Sequence, residues 1–161
     1  MKKPLQAKTK QSPSEVLPEL EQWTSFLLRQ ATLRAQQKVS QNLETLNLKP
    51  PHNTVLTMLG SGPMSQIALS AKTKTDRTTM VGIVDELEEM GLVSRASHAT
   101  DRRVHAVTLT RVGIAKLSQA NAKVTAADEA FLKPLSEKER QTLRKLLTKL
   151  IQAHDQELNK P

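Results

Sequence analysis

The segment D76-RTTMVGIVDELEEMGLVSRASHATDRRVHAVTL-T110 decides how this chain is read. Met80, Ile83, Val84 and Leu87 recur at i, i+3, i+4 and i+7, the spacing of one buried stripe on a helix. Asp76 stands where an N-cap belongs, with the backbone N–H of Thr78 or Thr79 in reach of its carboxylate. Gly91 offers a left-handed stop. Leu92, Val93 and Arg95 then suit a short strand, Ser97 to Arg103 a polar loop, and Val104, Ala106, Val107 and Leu109 a second strand. Thr110 is placed to cap a further helix from Arg111 to about Leu132. A capped helix, a glycine stop and a hairpin with arginines at its tip is the order of a winged helix.

Upstream, Pro50 and Pro51 start a short helix through Val55, Leu56 and Leu59 that Gly60 and Gly62 end. Pro63, Met64 and Ser65 open another, with Ile67, Ala68 and Leu69 expected inward. This pair supplies the first half of a helix-turn-helix. Further out, Leu20, Trp23, Leu27, Ala31, Ala35, Val39, Leu43 and Leu46 keep helical spacing, and no glycine or proline lies between Glu19 and Lys49. One long helix is therefore expected. At the other end Ser136 and Glu139 form a capping box ahead of Leu143, Leu146, Leu147, Leu150 and Ile151. The expected organisation is a basic disordered tail over 1–13, an N-terminal dimerisation helix over 14–47, a winged helix-turn-helix over 48–114 and C-terminal dimerisation helices over 115–161. The fold class is mainly α with a small β-hairpin wing.

At 161 residues the chain suits one core more than two. Its formal net charge of +8 favours a polyanionic partner. With no cysteine it has no thiolate metal site and no thiol redox sensor. The first residues, MKKPLQAKTKQSPS, hold lysines but no apolar run, so no secretory leader is expected, no membrane partner, and a cytoplasmic location. Trp23, Phe26 and Phe131 are the aromatic residues, too few for a platform that stacks single-stranded nucleic acid. Nucleophile and phosphate-loop motifs are absent. His52, His98, His105 and His154 fall in separate elements. Neither catalysis, nor a metal, nor a cofactor is expected.

DRTTM at the start of the central helix, DELEEMGLVSR through the strand, DRR in the loop, and LT followed by Gly113 together resemble the MarR family of bacterial transcription regulators. LKPPHNTVLTMLGSGPMSQIA upstream and LSEKERQTLRKLLTKL downstream extend the resemblance over roughly residues 15–155. It implies a homodimer with two winged-helix lobes below a helical dimerisation region. It also implies repression of nearby genes, relieved by a small, often anionic aromatic effector.

In that setting the helix after Asp76 enters the major groove with Arg77, Thr78, Val81, Gly82 and Asp85 on its outer face. Arg77 is placed for a guanine edge or a phosphate, and Thr78 and Val81 for a thymine methyl. Gly82 leaves room for close approach. Thr73, Lys74 and Thr75 suit phosphates. Arg95 is expected to touch a phosphate or to bind Asp85. The resemblance makes Asp101 the brace of the wing arginine, with Arg103 in the minor groove and Arg102 on a phosphate, or the two exchanged. The double-stranded operator is expected to be pseudo-palindromic, matching a two-fold dimer. Trp23, His52, Met58, Met80 and Val84 are the candidates for an effector pocket, each also suited to plain packing. The rival reading is a winged helix for protein contact without operator specificity, which Asp85 and the cluster of Glu86, Glu88 and Glu89 favour.

Overall fold

The computed structural model describes residues 18–97 and 105–158, in two compact units divided at Leu33 and Arg34. The elements are α1 (Pro18–Glu21), α2 (Thr24–Glu44), α3 (Pro50–Leu59), β1 (Met64–Ser65), α4 (Gln66–Thr73), α5 (Arg77–Glu89), β2 (Val93–Ser97), β3 (His105–Leu109), α6 (Arg111–Leu132) and α7 (Glu137–Leu158). The strands form an antiparallel sheet in the order β1-β3-β2. This is the winged helix-turn-helix with flanking helices that the sequence predicts.

The core of the larger unit closes where α3, α4, α5, α6 and the sheet meet. Leu56, Leu69, Val84, Leu87 and Val107 are wholly buried there, and Leu43 at the end of α2 joins them. Each such side chain contributes about 1.5–3 kcal/mol on leaving water. Between α2 and α6, the Asn42 amide donates to the Lys123 carbonyl at 3.0 Å.

Three helices end in one way within this unit. Asn47, Lys74 and Gly91 take left-handed backbone angles (φ of 57°, 54° and 69°). The next residue then donates back across the last turn: Leu48 N–H to the Leu43 carbonyl, Thr75 to Ser70, Leu92 to Leu87. Gly91 was legible as a stop. Asn47 and Lys74 were not.

The structure corrects the sequence expectation in four places. The long N-terminal helix is broken at Gln22 and Trp23: the Gln22 amide donates to the Glu19 carbonyl and the Trp23 N–H to that of Leu20, local bonds that close α1 before α2 starts. Its C-terminal end is Glu44 rather than 47, because Asn47 turns the chain. Ile67 faces outward, 59% exposed, while Leu69 and Ser70 face in. Finally, Met64 and Ser65 pair with Val107 and Ala106 as a third strand before Ser65 caps α4 by accepting from the Ala68 N–H at 3.1 Å.

Candidate nucleic-acid interface

The helix-turn-helix is α4, the turn at Lys74 to Asp76, and α5. Asp76 caps α5: its carboxylate accepts from the Thr79 N–H at 2.9 Å, and these Thr79 bonds hold its pKa below the ordinary carboxylate range. Met80, Val84 and Leu87 are buried and Ile83 half-buried, as their spacing requires. Rotation about the helix therefore turns Arg77, Thr78, Val81, Gly82 and Asp85 outward, and all five are exposed. Lys72 and Lys74 are exposed beside them, so the turn and the start of α5 present three cations. Thr73 and Thr75 are half-buried; the Thr73 hydroxyl donates to the Leu69 carbonyl at 2.8 Å and lies 3.0 Å from that of Thr75.

Three acidic residues of α5, Asp85, Glu86 and Glu88, are engaged within the chain. Arg95, on β2, hydrogen-bonds Asp85 with one guanidinium nitrogen and Glu88 with the other, and its backbone N–H donates to Glu88 at 3.1 Å. Partial burial works against the charge on Arg95. Its bonds to Asp85 and Glu88 outweigh that and hold its pKa above the ordinary arginine value. Of the two roles expected for Arg95, the structure displays the pairing with Asp85 and adds Glu88. The base of the wing is thereby bracketed to the outer face of α5.

At the far end of α5, Glu86 meets Lys49 Nζ at 2.7 Å and His52 Nε2 at 2.9 Å. The bond from Lys49 lowers the Glu86 pKa most, and His52 adds to it. His52 is buried in α3 and its Nδ1 accepts from the Lys49 N–H at 3.2 Å, which leaves the ring proton on Nε2 facing Glu86. Burial disfavours the imidazolium more than Glu86 favours it, so the His52 pKa lies below the ordinary range. A shallow cavity of about 340 Å³ opens beside this cluster, between Asn47, Lys49, His52, Glu86, Glu89 and Met90.

Of the effector-pocket candidates, only His52 lines that cavity. Met80 and Val84 are 1% and 0% exposed in the core, where their contacts are with neighbouring side chains. Met58 is half-buried against the same core. Trp23 is 55% exposed and belongs to the other compact unit. Asp101, Arg102 and Arg103 lie outside the described residues, as does His98; β2 and β3 lead to and from that segment. Among the described residues no group of three metal-ligating side chains converges, and no helix is long and apolar enough to cross a membrane.

The hairpin closes onto α6 through Thr110 and Gly113. The Thr110 hydroxyl accepts from the Gly113 N–H at 3.0 Å and lies 2.7 Å from the Gly91 carbonyl, to which it donates. A Cβ on Gly113 would stand 1.9 Å from the Leu92 carbonyl oxygen. Only glycine allows that approach.

The model of the MarR family matches residues 48–105, from α3 to the start of β3. A protein of Thauera aromatica named as a transcriptional regulatory protein for the hcr operon is 32% identical over 127 residues, 78% of this chain and 76% of that protein. The chain belongs to the MarR family. Its members are transcriptional regulators and not enzymes, and the DNA-binding winged helix is theirs. Among solved structures, the transcriptional repressor CouR bound to a 23-mer DNA duplex is similar at a TM-score of 0.78 and 27% identity, over 86% of this chain and 99% of that one. The MarR-family protein Rv2887 of Mycobacterium tuberculosis, in complex with salicylic acid, is similar at a TM-score of 0.68 and 29% identity, over 80% of this chain and 96% of that one.

Proposed function

We propose that this MarR-family regulator acts as a homodimeric repressor on a pseudo-palindromic operator and is released by a small organic anion. The observation that carries the DNA side is the division of charge on α5. Arg77, Lys72 and Lys74 stand exposed at the end that would enter the groove, whereas Asp85 and Glu88 are paired with Arg95 and Glu86 with Lys49, His52 adding a hydrogen bond. Those pairings occupy three of the four acids, Asp85, Glu86, Glu88 and Glu89, on which the protein-contact reading drew, and so weaken it. Arg77, Thr78, Val81 and Gly82 face base edges; Lys74 and Thr75 position phosphates. Arg103 enters the minor groove with Arg102 beside it and Asp101 bracing it. Arg95 acts as a positioning residue that holds the wing against α5.

The exposed apolar side chains of α7, Leu146, Leu150 and Ile151, support pairing of two chains. An effector is supported by the salicylic acid complex of Rv2887 and repression by the name of CouR. The regulator works in the cytoplasm, where its operator is.

The test is binding to duplex from the gene's own upstream region against random duplex, titrated over salt, for the parent chain and Arg103→Ala. The expected outcome is selective binding by two chains, and a loss of at least about tenfold on Arg103→Ala with dimerisation and helicity unchanged. Weak binding to both duplexes that vanishes as salt rises would reject operator recognition. Unaltered affinity of the variant would remove Arg103 from the site.

A further inference from the structure

Gly82 and Gly113 both lie in the first half of a helix of the winged-helix region, and their surroundings differ. Gly113 is demanded by the Leu92 carbonyl. A Cβ on Gly82 would meet nothing within 4 Å among the described residues, and no positive φ excludes another residue there. Glycine inside a helix is nonetheless among the least favourable choices for stability. Neither packing nor conformation of this chain accounts for it.

The neighbours of Gly82 are cleared from the same surface. The side chains three and four residues on, Asp85 and Glu86, are drawn aside to Arg95 and to Lys49 with His52. The residue four back is Thr78, and Val81 adjoins; both are exposed and both carry methyl groups. The backbone N–H and carbonyl at 82 belong to the helix ladder of α5. What remains at Gly82 is open space where a Cβ would stand, flanked by the methyl groups of Thr78 and Val81 and by the Thr78 hydroxyl. A second unfavourable choice lies close by in sequence: Lys74 holds a left-handed conformation that glycine or asparagine adopts more readily.

We propose that Gly82 is the point of closest approach of α5 to the major-groove floor, and that this space receives the C5-methyl of a thymine, making Gly82 a specificity-determining residue. This rests on the DNA-interface reading above. Such a space does not itself read donors and acceptors; it selects the one major-groove feature that is apolar and protruding. A methyl group at position 82 fills the space the thymine methyl would occupy and holds the helix off the bases.

The experiment compares the parent chain with Gly82→Ala on operator duplexes in which each thymine is replaced in turn by deoxyuracil. Gly82→Ala is expected to raise the thermal midpoint by about 2–4 °C at fixed protein concentration. It should weaken operator binding about tenfold or more, with random-duplex binding unchanged. In the parent chain one symmetry-related pair of thymines should lose about fourfold each on removal of the methyl, and in the variant that dependence should disappear. A variant that binds as tightly, with the same thymine dependence, overturns the proposal and leaves the interface standing. An equal loss on random duplex also overturns it, since the glycine would then serve backbone clearance rather than base reading. A parent chain that selects no duplex sequence overturns the interface reading and this proposal together.

Discussion

The region from α3 to β3 and the helix α7 are both rich in aliphatic side chains, and they spend them differently. In the first, Leu56, Leu69, Val84, Leu87 and Val107 have no contact with water. In the second, Leu146, Leu150 and Ile151 are 56%, 48% and 61% exposed. The described core of the winged-helix region is closed by its own side chains; the apolar stripe of α7 is left uncovered in the single chain. A helix that leaves its apolar stripe uncovered is stable in proportion to what it finds outside the chain. Stability of the DNA-reading region and stability of the proposed dimer are thus separable quantities.

The strongest way to break the comparison is at Gly113. Gly113→Ala puts a methyl group into the Leu92 carbonyl, so α6 must leave the hairpin or the hairpin must unpair. A loss of about 3 kcal/mol or more in urea unfolding is expected, and with it loss of the folded core. A variant as stable as the parent would mean the close contact is relieved at little cost.

Next comes α7. Leu146→Asp, or Leu150→Asp, should weaken self-association by about 2 kcal/mol or more, read by sedentation at falling concentration in an ultracentrifuge. The core of the α3 to β3 region should persist, since these side chains are already exposed in the single chain. An unchanged dimer would move the interface off this face of α7.

Much of this division could be read from sequence, because it is written in local signals. The stripe of Met80, Val84 and Leu87, the caps at Asp76 and Thr110, the stop at Gly91 and the box of Ser136 with Glu139 each involve residues within a few positions of one another. The outer face of α5 follows from the same periodicity, so Arg77, Thr78, Val81 and Gly82 came out exposed together. Longer-range pairings were hidden. His52 meets Glu86 across 34 residues, and β1 exists only because β3 lies beside Met64 and Ser65. The break at Trp23 carries no glycine or proline, and the left-handed turns at Asn47 and Lys74 use residues that sequence patterns do not mark as strongly as glycine.

The smallest expected effect concerns pH and lies in the closed region. His52 is neutral when folded because its pKa is lowered, whereas in the unfolded chain it takes up a proton near the ordinary value of 6.5. The unfolded state then binds more protons, so stability is full above pH 6.5 and falls as pH drops from there toward the lowered native pKa. The slope should approach at most one proton per chain. In thermal scans from pH 8 to pH 5, His52→Gln should remove this component, and the gap between variant and parent should narrow as pH falls. A gap that stays constant would show that His52 does not titrate differently on folding.

The bracket made by Arg95 has a mechanical consequence. With its guanidinium on Asp85 and Glu88, and its backbone N–H on Glu88 as well, the strand that leads into the wing is fastened to the helix proposed to enter the groove. Helix and wing base behave as the two jaws of a locked caliper. If helix and wing engage DNA as proposed, a duplex whose groove spacing differs from the gap must bend or twist to fit, and the elastic cost falls on the DNA. Base pairs that no side chain touches would then be selected for their compliance.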